Sequence, residues 1–185
     1  MTLTKPETQA DLEPPFEMIG DEGWESRLRD LLNSYGVPIP NPVPAKEVDA
    51  AEATLGLQLP SSLRTFLTKI GPLDFGSMRV LSVKEISTLE RIWFADSMPS
   101  QEKARIPQLV GVLDYLGTGD FIAWDSANDK FVLVGHDPPG IHPWLPTFDD
   151  CVREQCVDLA AGCYGWPDEE VELLVEDVKA RLFQR

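Results

Sequence analysis

The side chains able to do chemistry in this chain are two histidines, three cysteines and 31 carboxylates. His136 and His142 stand six apart in the proline-rich run HDPPGIHPWLP. Pairing with a cysteine or serine would make either a general base, but no G-x-S-x-G nucleophile elbow occurs. They read as loop residues or as a metal-free hydrogen-bonded pair. Cys151, Cys156 and Cys163 fall close together, Cys156 and Cys163 seven apart on an expected helix beside Leu159 and Ala160. Zinc demands tighter pairing and further ligands, so they read as small apolar core residues with no metal and no disulfide. The G-T-G-D run at 117–120 lacks the rest of a dinucleotide fingerprint, there is no P-loop, and the run reads as a turn. With 31 acids, carboxylate pairs arise by chance and specify no acid–base dyad. The expectation is a protein that is not an enzyme and that holds no cofactor or metal.

Binding remains. Tryptophan anchors both cores and interfaces, and there are five, at 24, 93, 124, 144 and 166. Trp24 and Trp93 lie on amphipathic stripes and read as core. Trp124, at a strand end beside Asp125, and Trp144 and Trp166, beside prolines, read as surface residues. The net charge is −15, and between Thr147 and Asp177 ten acids face one base, Arg153. Such a surface repels nucleic acid and steers a basic partner, and it also keeps a protein soluble. No apolar run reaches 18 residues, and MTLTKPETQADLEPP carries no apolar segment of a secretory signal. The expectation is a cytoplasmic protein, monomeric by default.

The elements that must position these residues are organised around Glu52–Gly71, EATLGLQLPSSLRTFLTKIG. Val48, Ala51 and Leu55, then Leu63, Phe66, Leu67 and Ile70, recur at helical spacing on either side of a short connector. Gly56 suits the left-handed residue after a helix, Pro60 the first turn of the next, and Gly71-Pro72 its end. Residues 1–17 read as a disordered or loosely packed arm, 18–165 as the core and 166–185 as a closing helix packed on it. Trp24, Leu28, Leu31 and Leu32 mark a helix over about Glu22–Tyr35, with Asp21 as its cap and Gly36 as its stop. The alternating prolines of VPIPNPVPAKE predict an extended strap. Met78–Val83 reads as a strand and Lys84–Asp96 as a helix with Ile86, Leu89, Ile92 and Trp93 inward. Leu109–Leu116, Asp120–Trp124 and Phe131–Val134 read as strands, the last two a hairpin across the turn at 125–129. His136–Pro146 reads as rigid loop. Thr147 and Asp150 suggest the start of a helix reaching about Ala161. Val171, Leu174, Val175, Val178 and Leu182 form the stripe of a final helix opened by Pro167. Without alternating βα repeats, the class is α+β: one domain, a mainly antiparallel sheet of about four to six strands, and helices at both chain ends.

Several of these residues also carry a family resemblance. E-x-x-L-G-x-x-L-P followed by F-L-x-x-x-G, here Glu52, Leu55, Gly56, Leu59, Pro60, Phe66, Leu67 and Gly71, resembles the opening of the SUKH superfamily of cell-wall-assembly regulators and bacterial toxin-immunity proteins. G-x-G-D-F-I-A-W-D resembles its sheet segment, and Trp144, Thr147 and Phe148 the start of its last core helix. The resemblance covers roughly Trp24–Gly162. It implies a SUKH-like fold and an immunity protein that occludes a basic, nuclease-type toxin domain by direct contact. On that implication Asp120, Asp125, Asp149 and Asp150, with Trp124 as apolar anchor and Trp144 beside them, are the expected partner-binding residues. The alternatives are a regulatory scaffold module of the cell-wall-assembly type and a small-molecule binder.

Overall fold

The structure is a computed structural model, and it describes residues 6–89, 94–115, 118–162 and 169–183. The expected class is what it shows: helices at both chain ends and an antiparallel sheet of six strands. Its residues group into two compact units, Pro40–Phe148 and Met1–Ile39 with Asp149–Arg185.

The Pro40–Phe148 unit opens on the extended strap, which reaches helix α2 (Ala45–Leu55) and then α3 (Ser61–Lys69). Gly56 takes the left-handed conformation expected of it, φ 67°. The elbow between the helices is fastened by Glu52. One carboxylate oxygen accepts from the Leu59 amide at 2.9 Å, and the other pairs with Arg64, which also reaches Asp49 at 2.5 Å. The strap docks onto α3 through the Val43 amide, which donates to the Leu67 carbonyl at 2.9 Å. At Gly71, φ is +103° and a Cβ would stand 2.4 Å from the Asn41 carbonyl oxygen, so only glycine fits.

The sheet runs β1 (Met78–Val80), β3 (Leu109–Tyr115), β4 (Phe121–Asp125), β5 (Lys130–His136) and β6 (Pro139–Pro143), with β2 (Ser87–Thr88) also pairing with β3. Both of its faces are covered, which is why LVGVL, FIAW and FVLV read as nearly continuous apolar runs. One face carries Leu109, Ala123, Val132 and Val134 in a cluster with Leu89, Phe94, Met98 and Ile106. On the other, Phe131 meets Phe148, whose ring stands edge-on to Phe66 of α3 with centroids 5.5 Å apart. A register shift between Gly111 and Leu113 turns β3 so that Leu113 faces Ile122.

Two segments depart from expectation. Lys84–Leu89 is not helix: Ser82–Glu85 is a turn, and Ser87 and Thr88 pair with Gly111 and Val110. Ile86 and Leu89, three apart, sit on a helical stripe, but on an extended chain that spacing sends them to opposite faces. Leu89 joins the cluster above, close enough to Gly111 that a Cβ there would meet its Cδ2 at 3.0 Å. Ile86 instead lines a cavity with Ala50 and Leu55 of α2. Ile92 and Trp93 lie outside the described residues.

Nor is His136–Pro146 all loop, because Pro139–Pro143 is the edge strand β6. Its Ile141 amide points away from β5 and donates at 2.6 Å to Glu102 Oε2 of the short helix α4 (Ser100–Lys103). Pro139 and Pro143, two residues to either side, face outward with it and have no N–H to offer. Proline is tolerated at a sheet margin in just this orientation.

The other unit holds α1 (Trp24–Ser34), α6 (Glu169–Phe183) and all of α5 (Phe148–Gly162) after its first residue. Gly23, not Asp21, occupies the position before α1, with φ 73°, while the Asp21 carboxylate accepts from the Met18 amide at 2.9 Å. Gly36 ends the helix as expected, with φ 70°. Residues 6–17, expected to be loose, are anchored where they carry apolar side chains. A short 3-10 turn, Gln9–Leu12, buries Leu12 completely against Val157, Ala160, Ala161, Val171 and Val178. Leu174, Val175 and Leu182 pack on the same cluster, so the closing stripe faces inward. Pro167 lies outside the described residues.

Candidate functional site

In the Pro40–Phe148 unit, Asp120, Trp124, Asp125 and Trp144 all hold structural positions. Asp120, just before β4, accepts from the His136 amide at 2.9 Å, and its Oδ1 lies 2.6 Å from His136 Nδ1. Trp124 is a correction to the expected surface anchor. It is buried, 7% exposed, and its Nε1 donates to Asp129 Oδ1 at 3.0 Å across the hairpin turn. The reason is register: Trp124 pairs with Phe131 and Val110 on a covered face. Asp125 is buried too, at 2% exposed. It receives hydrogen bonds from Asn128 Nδ2 at 2.9 Å, Arg105 at 2.7 Å and the Ala127 amide at 3.2 Å. Burial by itself would raise its carboxyl, but these three donors outweigh it and hold the group below the ordinary aspartate value. Trp144 is half-buried, edge-on to Tyr115 with centroids 6.2 Å apart.

The histidines are not brought together for proton transfer. His136 turns to Asp120 and Phe94, whereas His142 Nε2 lies 3.1 Å from the Pro138 carbonyl. A cavity of about 720 Å³ beside α2 is lined mainly by alanine, threonine and aliphatic side chains, with Glu47 and Lys84 its charged groups. Among the described residues no three histidine, cysteine, aspartate or glutamate side chains cluster to hold a metal ion. Cys151 and Cys156 are free thiols and buried, and burial pushes the Cys156 thiol far up. Cys163 and Trp166 lie outside the described residues. No helix among the described residues is long and apolar enough to cross a membrane.

Asp149 and Asp150 belong to the other unit, and both are engaged there. Asp149 accepts from the Ile19 amide at 2.6 Å, and Asp150 pairs with Arg153 at 3.1 Å. Further along α5, Lys179 lies 3.5 Å from the buried Glu154 and 2.5 Å from Asp158. The α6 acids are different. Glu169, Glu172, Glu176 and Asp177 are exposed and make no ion pair among the described residues, and beside them Leu173 is 62% exposed. This unit carries 18 acids against 7 bases, the Pro40–Phe148 unit 13 against 9. In the sequence the α6 acids belong to the acidic run, in which nothing singles them out. Their signal was the face of α6 opposite the Val171, Leu174 and Val178 stripe.

A family model, that of the SMI1/KNR4 family (SUKH-1), matches residues 42–154, more than half of the chain. No curated protein and no solved structure matches it.

Proposed function

Because the chain belongs to the SMI1/KNR4 family (SUKH-1), we propose that it is an immunity protein, one that neutralises a basic, nuclease-type toxin domain by binding and without catalysis. The observation that carries this reading is where the charge sits. The net charge of −15 is concentrated in one unit, with 18 acids against 7 bases, and its exposed Glu169, Glu172, Glu176 and Asp177 make no ion pair among the described residues. A nuclease presents cations to phosphate, and a rigid array of carboxylates competes for the same cations. Occlusion of this kind asks no proton transfer of His136 or His142.

The test takes a nuclease-type toxin domain identified from the genes flanking this one; flanking genes that encode no toxin would count against the reading. Equimolar protein should abolish its nuclease activity, and the association rate should fall as salt rises, since rim charges act chiefly on encounter. An association rate indifferent to salt, or a toxin left active at equimolar ratio, would sink the reading. Recovery of cell-wall regulators as the bound partners would replace it with the scaffold alternative.

A further inference from the structure

We infer that the groove between residues 6–7 and α6 is the docking site for a cationic segment of that toxin partner, one presenting an apolar side chain between lysines or arginines. This rests on the immunity reading above. The groove encloses about 530 Å³ and is lined by Pro6, Glu7, Glu170, Leu173, Leu174 and Asp177. Glu170, Leu173 and Asp177 recur at i, i+3 and i+7, one stripe along the helix. A leucine is thus set between carboxylates on its own helix, with Glu7 on the opposite wall. A lone exposed leucine needs no explanation. Here it floors a groove whose walls carry the opposite charge to a lysine or arginine, and such side chains lay an aliphatic stem on apolar surface while the head reaches a carboxylate.

The opposite wall is held in place before any partner arrives. Asp11 Oδ2 accepts from the amides of Glu7 at 3.0 Å and Thr8 at 2.8 Å. Leu12 is fully buried just beyond, and Arg181 of α6 pairs with Glu13. A wall already ordered leaves little ordering cost for binding to meet. The acids also extend past the groove: Glu169, Glu172 and Glu176 form an adjacent row, so that 169–177 spans about 12 Å of helix axis. That length suits a peptide segment better than a small cation. All six lining residues fall outside the matched 42–154, so the groove is separate from the region that defines the family.

The experiment measures binding of the full chain to two synthetic lysine-rich peptides, one with leucines between the lysines and one with serines in their place, and to the toxin domain. The wild type should prefer the leucine peptide. Leu173→Ser should cost about tenfold on the leucine peptide while leaving the serine peptide unchanged. Glu7→Gln with Asp177→Asn should also cost about tenfold, against about twofold for Glu169→Gln with Glu172→Gln, which removes equal charge from the neighbouring row. Each altered residue is exposed, and unchanged circular dichroism confirms the fold. No binding of the leucine peptide, equal affinity for both peptides, or equal losses from the two charge pairs would overturn the groove. A toxin domain bound equally by wild type and Leu173→Ser would overturn it while leaving the immunity reading intact. Peptide discrimination without toxin binding would remove that reading and keep the groove.

Discussion

At the scale of single residues, acidic side chains divide into those that hold the fold and those left exposed on α6. Asp125 is of the first kind. Asp125→Ala removes the acceptor for three donors at the hairpin turn and should cost about 2 kcal/mol, tempered because Arg105 can turn to water. Since its folded carboxyl lies below the ordinary value of 3.8, its contribution is fully present above that pH and is lost as pH falls through the folded value. Urea midpoints of the wild type and of Asp125→Asn should therefore converge on acidification below about pH 4. A gap that stayed constant down to pH 2 would contradict the network. Cys156 makes a second test: with its thiol buried and pushed up, it should not react with a thiol reagent at pH 8 until denaturant is added. The expectation of Trp124 at the surface failed for a reason that composition does not reveal. A tryptophan beside an aspartate looks amphipathic in sequence, but Trp124 and Asp125 are both buried, and only the register with Phe131 and Lys130 shows it.

At the scale of elements, what was legible was what local chemistry decides. Gly56 and Gly71 mark turns because each needs a positive φ, and the strap is extended because prolines permit little else. Gly71→Ala should cost at least about 2 kcal/mol, since the new methyl meets the Asn41 carbonyl and the backbone cannot relax away. Gly36→Ala, with a positive φ but nothing within 4 Å, is the comparison that separates contact from backbone strain. Phe66→Ala should cost roughly 3–5 kcal/mol, because Phe66 is fully buried against Phe148. An unchanged denaturant midpoint for Phe66→Ala would contradict that packing. What stayed illegible was pairing. Ser87–Thr88 is a strand only because Gly111, far along the chain, leaves room beside it for Leu89. The partner of β6 is its sequence neighbour β5, but the prolines of HDPPGIHP disguise a strand that only a sheet margin tolerates.

At the scale of the whole molecule, salt should act in opposite directions on the free protein and on its complex. With 18 acids against 7 bases, the unit containing α5 and α6 repels itself, and that repulsion is screened beyond about 10 Å at 0.1 M salt. Added salt should raise the melting temperature of the free protein while slowing its association with a basic partner. A melting temperature that fell with added sodium chloride would show that internal ion pairs, such as those of Arg64 and Lys179, outweigh the repulsion.

The margins of the sheet carry one more consequence. At β6 the outward positions are two prolines and an amide held by Glu102, and at β1 the outward groups are taken by the preceding segment of the same chain, where Val80 donates to Leu73 and Phe75 to Met78. A sheet is a chain of strands that any extended peptide can lengthen, whatever its sequence, because backbone reads backbone. Here β6 and β1 are quenched in this way. Visitors to these margins are left with side chains to recognise, and side chains change one codon at a time, so partner preference there can drift while the scaffold beneath stays fixed.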